Sequence, residues 1–507
     1  MCGKNFTGKL MKSVQKFLFR KENHLILIIY LCLVIPQTKA QNVLQDAVYS
    51  IVSDEDFRFS SLSMCILDLE KDSIVASYQP YTSLVPASTV KLFTTFAALS
   101  ILGADYTFKT ELQYGGEFVD STLNGCIFIK GWGDPTLGSS RFPRVDNIKS
   151  VSKIFARAIK KECVFKINGY IVGDGTYFDP MPIPNNWQWD DIGNYYGAGC
   201  FGLNLHDNEF SLFFRQNPNL WQRPSIERIF PEMSDVNFVN GVLSGTPNSG
   251  DQSNIFGEPL GNTRYVHGTI PAGYGRFNIR GSIPNPPLTC AEYVLKSFSS
   301  FPGAVSGGAV DYKTYLKKVG TPLLRQTFYT HESPKLKDII LQTNHRSVNL
   351  YAEALLREIG KVKYSEGTTD AGVKALYNFW KEKGLEVQGL YLEDGSGLSP
   401  RNGISAWHFV KSLKIAKADS LLFQHYYNSL PEAGKEGTVK GLLKNYKGPG
   451  EVRAKSGSMK RIKSYCGYAT SKTGKIYSFA VIANNYSCSG SKVREKVGEL
   501  LNILLQQ

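Results

Sequence analysis

The chain has 507 residues, 42% hydrophobic, 12% aromatic and 20% charged, with a formal net charge of +14. That balance excludes a disordered or fibrous protein. The length exceeds what one hydrophobic core usually supports, so two or three domains are expected. Neither zinc-finger spacing nor an arginine-rich arm is present, which argues against nucleic acid as a partner.

The N-terminus reads as a targeting segment. Residues 1–24 carry Lys4, Lys9, Lys12, Lys16, Arg20 and Lys21, and Leu25 to Ile35 is an unbroken apolar run. Pro36 breaks it, and Thr38-Lys39-Ala40 offers a signal-peptidase site, so residues 1–40 are expected to be a signal peptide. An uncleaved anchor is the alternative, but the run falls short of the ~20 residues a membrane span needs. Tyr30 and Leu31 ahead of Cys32 are too bulky for a bacterial lipoprotein site, and any membrane contact is expected through this segment alone. Removing residues 1–40 takes away seven Lys/Arg and one Glu and leaves a net charge of +8. Such mild basicity suits an anionic surface such as a cell wall. The expected location is the periplasm, or the outer face of the cytoplasmic membrane if the signal is retained. Seven cysteines remain, an odd and scattered set that is no disulfide framework. Cys466 and Cys488 are the nearest pair in sequence; buried free thiols are the expectation for most of the others.

Taken in chain order, Ser63 to Tyr78 reads as a hairpin turning at Glu70-Lys71-Asp72. After a polar loop, Leu92, Phe93, Phe96, Ala97 and Leu99 recur at helical spacing, which places Ser88 near a helix N-terminus. From about Phe108 to Pro287 the chain is rich in Gly, Asn, Pro and aromatics, with short strand-like runs. Gly281 to Pro287 (GSIPNPP) reads as a boundary. Helical periodicity returns at Ala291–Phe298, Leu336–Thr343 and Leu350–Ile359. Three strands then follow, over Glu451–Met459, Lys463–Thr470 and Ile476–Ala483, and a last amphipathic helix covers Lys492–Leu505. The expected fold is α/β in the α+β sense: an antiparallel sheet flanked by helices, formed by 41–107 and 288–507, with a mainly β insertion over 108–287.

A serine nucleophile needs a base within hydrogen-bond reach, and one helical turn supplies it in Ser88-Thr89-Val90-Lys91. The nearby helix N-terminus disfavours a protonated amine and helps Lys91 act as that base. The S-x-x-K pattern is weak by itself, occurring also at Ser13, Ser150 and Ser489; the apolar helix that follows selects Ser88. Ser347-Val348-Asn349 is the single S-x-N and opens a helix, where a serine is equally at home as an N-cap. Lys455-Ser456-Gly457-Ser458 places an ammonium beside hydroxyls on a strand, with Gly457 leaving room for a substrate backbone; such a group would bind a terminal carboxylate. The literal K-T-G at Lys472-Thr473-Gly474 falls in a hairpin turn and is expected to be a decoy.

In this order the three elements resemble the serine penicillin-recognising enzymes. The nearer likeness is to the D-alanyl-D-alanine carboxypeptidase/endopeptidase family, the class C low-molecular-mass penicillin-binding proteins, which carry a large insertion between S-x-x-K and S-x-N. Gly131–Pro135, Trp189-Asp190-Asp191 with Tyr195–Ala198, Asp394–Ser399, and Ser429-Leu430-Pro431 with Gly434 and Gly437-Thr438 resemble that family as well. The resemblance implies attack by Ser88 on stem peptides of peptidoglycan ending in D-Ala-D-Ala, with Lys91 as base and no metal or cofactor. It implies a proton relay through Ser347, positioned with Asn349 and Lys91, and an oxyanion hole from the Ser88 and Ser458 N–H groups. It also implies acylation by β-lactams as covalent inhibitors. Asp190 or Asp191, with Trp187 and Tyr195, resembles the family's pocket for the free amino end of diaminopimelate; structural roles for these residues are the alternative. A triad hydrolase is disfavoured because no G-x-S-x-G occurs, and a β-lactamase by the long insertion. A non-catalytic sensing or wall-binding protein is disfavoured because every motif position is intact.

Overall fold

The structure is a computed structural model that describes residues 43–143, 146–162, 164–301 and 303–507. The expected signal peptide and Cys163 lie outside the described residues. A five-stranded antiparallel sheet, in the order Glu451–Met459, Ile462–Thr470, Ile476–Asn484, Ser61–Asp68 and Ser73–Tyr78, forms the platform of the first body. Both faces are covered, which explains why Met64-Cys65-Ile66-Leu67 is apolar without alternation. Met64 and Ile66 pack towards the helices 43–52 and Gly490–Leu505. Cys65 and Leu67 face the opposite way, into a core built by the helices Lys91–Leu102, Asn349–Tyr364, Thr369–Glu382 and Ala406–Ala418. No helix among the described residues is long and apolar enough to cross a membrane. Among them, Cys65, Cys126, Cys200, Cys290 and Cys466 are buried free thiols, and Cys488 is a half-buried one.

The insertion leaves after the helix Lys91–Leu102 and is mainly β. Its larger sheet joins Ala304–Val305, Lys166–Ile167, Thr122–Gly131, Lys109–Val119 and Gln326–Glu332, with Ile171–Asp174 and Ala309–Asp311 alongside. Two three-stranded sheets follow from Glu209–Ser282 and share a core of Phe210, Leu212, Phe214, Val242, Ile255, Val266, Ile270 and Ile279.

The return point differs from the expected 287/288 boundary. Gln326–Glu332 pairs antiparallel with Lys109–Val119, Glu332 opposite Lys109. The helix Pro286–Ser299 puts Cys290, Ala291, Val294 and Phe298 into the insertion's own core. The chain therefore returns near Ser333. The Gly/Pro cluster at 281–287 is a strand-to-helix turn inside the insertion: Asn285 caps the helix through Leu288 N, with Pro286 and Pro287 in its first turn, where a missing N–H costs nothing.

Candidate active site

Ser88 stands on a short 3-10 turn, Ala87–Val90, that runs directly into the helix Lys91–Leu102. The turn is pinned to the sheet. Ser464 Oγ and Thr89 Oγ1 both donate to the Pro86 carbonyl, at 2.5 and 2.7 Å. Asn484 brackets Val85 through both of its side-chain atoms. Gly457 passes so close that a Cβ there would overlap Ser464 Oγ and sit 2.5 Å from the Pro86 oxygen and 3.0 Å from Ser88 N. The glycine is needed for the strand to approach the turn that carries Ser88, a different reason from room for a substrate. Ala87 takes a left-handed φ of 49°, and Gly397, itself at φ 80°, lies against its carbonyl. A non-glycine in that region costs about 1–2 kcal/mol, held here by the contacts on either side.

Lys91 is fully buried, and its amine meets three oxygens: Ser88 Oγ at 3.0 Å, Asn349 Oδ1 at 2.6 Å and the Ser396 carbonyl at 2.6 Å. The two shorter partners can only accept. In its charged form the amine donates to all three oxygens; in its neutral form its two hydrogens serve Asn349 and Ser396 and its lone pair is left for the Ser88 hydroxyl. Burial pushes the Lys91 pKa down to about 7, against the pull of Asp394 and Glu353. Burial and the Asp394 charge push Glu353 up to about 7, which weakens that pull.

Ser347 is not an N-cap. It ends the preceding helix, Leu336–Arg346, in a left-handed conformation (φ 58°), while Val348 occupies the cap of Asn349–Tyr364 without a side-chain bond. Its Oγ accepts from Lys455 Nζ at 2.9 Å, and the same amine donates to the Ser456 carbonyl at 2.6 Å. Lys455 is fully buried and is held well below its usual pKa, by burial first and by Lys91 second. Two buried amines in one site do not both stay charged. Ser456 Oγ donates to Thr438 Oγ1 at 2.8 Å. Lys472 lies exposed in the turn after Ile462–Thr470, six residues beyond Cys466, the register partner of Lys455, hence about 20 Å along the strand. Ser489 is spent as the N-cap of the last helix, accepting from Lys492 N.

A cleft of about 870 Å³ opens over these groups, lined by Ser88, Ser347, Asn349, Thr438 and Ser458 on one body and by Asp190, Asp191, Tyr195 and Tyr196 on the insertion. Neither amine lines it; both stand behind hydroxyls. Among the described residues, no group of His, Cys, Asp or Glu is placed to hold a metal ion. A model of the D-Ala-D-Ala carboxypeptidase 3 (S13) family matches residues 44–504. The chain belongs to that family. It is a serine-type D-Ala-D-Ala peptidase. It is similar to the D-alanyl-D-alanine carboxypeptidase DacB of Haemophilus influenzae, 24% identical over 87% of this chain and 89% of the relative. It is 26% identical to the D-alanyl-D-alanine carboxypeptidase of Actinomadura sp. (strain R39), over 88% of this chain and 81% of that one. The crystal structure of penicillin binding protein 4 (dacB) from Haemophilus influenzae superposes with a TM-score of 0.77 at 22% identity, over 92% of this chain and 99% of that one. A second structure of that protein, complexed with a β-lactam, has a TM-score of 0.70 over 88% of this chain and 95% of the other, also at 22% identity.

In this S13 peptidase the insertion touches the motif residues directly. Asn349 Nδ2 donates to the Tyr196 carbonyl at 2.8 Å. Asp190 and Asp191 lie on the single turn Trp189–Ile192 at the cleft wall. Burial, then the Asp190 charge, pushes the Asp191 pKa up to about 6. Tyr195 carries the Arg280 guanidinium 3.6 Å over its ring. Trp187, expected beside them, does not reach the cleft. It is buried among Ile183, Leu398, Ile192 and Tyr196, and its Nε1 donates to Asp394 Oδ2 at 2.9 Å. Its indole supports the loop Asp394–Ser399 from behind. Asp394 also accepts from Gly397 N, Ser399 N and Asn402 Nδ2, which folds Asp394–Ser399 around one carboxylate and aims the Ser396 carbonyl at Lys91.

Tyr196 and Ser396 fall in stretches that carry the family likeness but had no expected role of their own, and Ser464 was not singled out at all. Tyr196 and Ser396 contribute to Asn349 and Lys91 through main-chain oxygens, which carry no side-chain signature. Ser464 was hidden because a serine on a buried strand has no partner until the sheet register brings it under Pro86.

Proposed function

We propose that this peptidase cleaves the terminal D-Ala-D-Ala bond of peptidoglycan stem peptides through an acyl-enzyme on Ser88. Ser88 Oγ attacks the carbonyl carbon as its proton passes to Lys91 Nζ. Backbone N–H groups of Ser88 and Ser458 take the oxyanion, each such donor being worth about 3 kcal/mol. The C–N bond breaks as the proton held by Lys91 is relayed to the leaving amine through Ser347 Oγ, which is hydrogen-bonded to Lys455 and takes up one proton as it gives one away. Water then hydrolyses the ester and Ser88 regains its proton. Lys455 adds positive potential behind Ser347, with Ser456, Gly457, Ser458 and Thr438 receiving the substrate's terminal carboxylate. The observation that carries the reading is the 3.0 Å approach of the Lys91 amine to Ser88 Oγ with its other two contacts taken by acceptors.

Asp190 and Asp191 supply the anionic wall that would receive the free amine of a diaminopimelate side chain, with the Tyr195 ring against its methylene stem. The free D-alanine of a pentapeptide and the amine-linked residue of a cross-link use the same bond and the same cleft, so carboxypeptidase and endopeptidase action both fit. Export supports the reading: residues 1–40 carry a signal-peptide pattern and the substrate lies outside the cytoplasm, in the periplasm or wall. Labelled penicillin should acylate Ser88, and Ser88→Ala should abolish both labelling and D-alanine release. Labelling that survives the substitution would falsify the assignment. Release of D-alanine from a monomeric pentapeptide, against opening of a cross-linked dimer, ranks the two activities.

A further inference from the structure

The far end of the insertion carries a feature that catalysis does not use. Two loops, 216–224 and 272–275, meet the end of the strand Asn237–Gly245 at one end of the two small sheets. Their main chains are tied together: Trp221 N donates to the Ser244 carbonyl, Ser244 N to Gln222, Gly273 N to Asn217 and Gln216 N to Gly275, at 2.8–3.2 Å. Ser244 Oγ adds a bond to the Asn217 carbonyl at 2.9 Å. On this bound-up scaffold stand Leu220 at 50%, Trp221 at 68% and Tyr274 at 88% exposure. Trp221 sits in the left-handed region at φ 64°, an unfavourable backbone for a bulky residue. Its main-chain N–H is engaged while its indole is turned out to solvent. Strain held by neighbouring structure at an exposed aromatic points to use of that side chain.

The flanking charge is positive. Arg223 lies in the first loop and Arg215 and Arg276 stand opposite each other at the strand ends beside it, against Glu227 and Asp251; Glu227 is shared between Arg215 and Arg276 at 3.1 and 2.7 Å. Aromatic rings that are half apolar and half polar, an aliphatic neighbour, and arginines around them suit the boundary between water and acyl chains, where anionic headgroups meet the cations. Exposures this high also leave the rings standing clear rather than lining a groove, as a saccharide chain would need.

We propose that the Leu220–Trp221–Tyr274 tip is a reversible docking surface for an anionic lipid bilayer, holding the enzyme at the membrane face of the wall. The contact is shallow, a few side chains deep, and salt-sensitive. It is independent of the acyl-enzyme reading.

Residues 41–507 contain all of the described fold and lack the apolar N-terminal run, so that segment cannot contribute. This chain should co-sediment with vesicles of phosphatidylethanolamine and phosphatidylglycerol, less with pure phosphatidylcholine, and less again as salt rises. Replacing both rings (Trp221→Ser with Tyr274→Ser) should weaken binding by about tenfold or more, and Arg223→Gln should weaken it less. Unchanged thermal unfolding and unchanged hydrolysis of a soluble pentapeptide show that the variants fold. Failure of the parent chain to bind anionic vesicles overturns the proposal, and so does binding that ignores the double substitution. Retention on peptide-free glycan strands that the same substitutions abolish would reassign the tip to saccharide.

Discussion

Lys91 Nζ stands 3.0 Å from Ser88 Oγ while its two shorter contacts, Asn349 Oδ1 and the Ser396 carbonyl, only accept, so the neutral amine has its lone pair left for Ser88. That relationship fixes the pH behaviour. With its pKa near 7, set by burial, Lys91 in the proposed role of base would be protonated and idle in acid and free in alkali. The second-order rate of acylation by a penicillin should therefore rise with pH and level off above about 7. Lys91→Arg retains a permanent cation and removes the lone pair, so acylation should fall by about 10²–10⁴-fold with no rising limb. A rate independent of pH between 5 and 9 in the parent enzyme would rule Lys91 out as the base.

The two lysine triplets separate by position. Lys455 reaches Ser347 Oγ, whereas Lys472 is exposed in the hairpin turn about 20 Å away along the strand. Lys455→Ala should lower kcat/KM for a pentapeptide by about 10²–10³-fold. Lys472→Ala should leave it within about twofold, since an exposed lysine far from the cleft makes no contact with substrate. Steady-state kinetics on the two variants decides between them; equal losses would contradict the assignment.

The difference between these lysines was legible because strand count and turn residues are local features. The helix after Ser88, the hairpin Ser63–Tyr78 and the three C-terminal strands were legible for the same reason: each carries its own periodicity. The return point of the insertion was not. Gly281–Pro287 has the composition of a linker, and only the pairing of Gln326–Glu332 with Lys109–Val119, more than two hundred residues apart, shows that the insertion continues. Trp187 failed in a similar way. An indole three residues before Asp190 in sequence looks like a cleft residue, but Trp187 lies ahead of the helical turn Trp189–Ile192 that carries Asp190, and the buried Asp394 carboxylate draws the Trp187 N–H inward.

Trp187 is therefore expected to act through stability and loop geometry. Trp187→Phe keeps most of the ring volume and removes one of the four donors to Asp394, which should cost about 1–3 kcal/mol. Trp187→Ala also opens a cavity against Ile183 and Leu398 and should cost about 3–5 kcal/mol. Denaturant unfolding measures both. A direct substrate contact would instead raise KM in Trp187→Phe with stability unchanged.

Asp191 gives the insertion its own pH signature. Its carboxyl is held up at about 6 by burial and by Asp190, so the charge that would pair with a substrate ammonium is present above that pH and lost below it. KM for a stem peptide with a free diaminopimelate amine should rise as pH falls from 7 to 5. An N-acetylated peptide should bind weakly and show no such trend. Asp191→Asn should make the free-amine peptide behave like the acetylated one, about tenfold weaker, with kcat nearly unchanged because the pair is made before and during reaction alike. If Asp190→Asn has this effect and Asp191→Asn does not, the pairing belongs to the neighbouring carboxylate.

Gly457→Ala tests whether the strand must touch the nucleophile's turn. The added Cβ meets Ser464 Oγ, the Pro86 oxygen and Ser88 N, two of them atoms of main chain that cannot rotate away. Relief requires either the strand Glu451–Met459 or the turn Ala87–Val90 to shift by several tenths of an ångström. Either movement separates Ser88 from Ser458 and from the Lys455–Ser347 pair, and misplacement on this scale is expensive in an oriented site. Penicillin acylation should drop by about 10²-fold, while the five-stranded sheet, with Gly457 on its edge strand, stays folded by circular dichroism. Acylation at the parent rate would show that the close approach is a packing detail with no hold on Ser88.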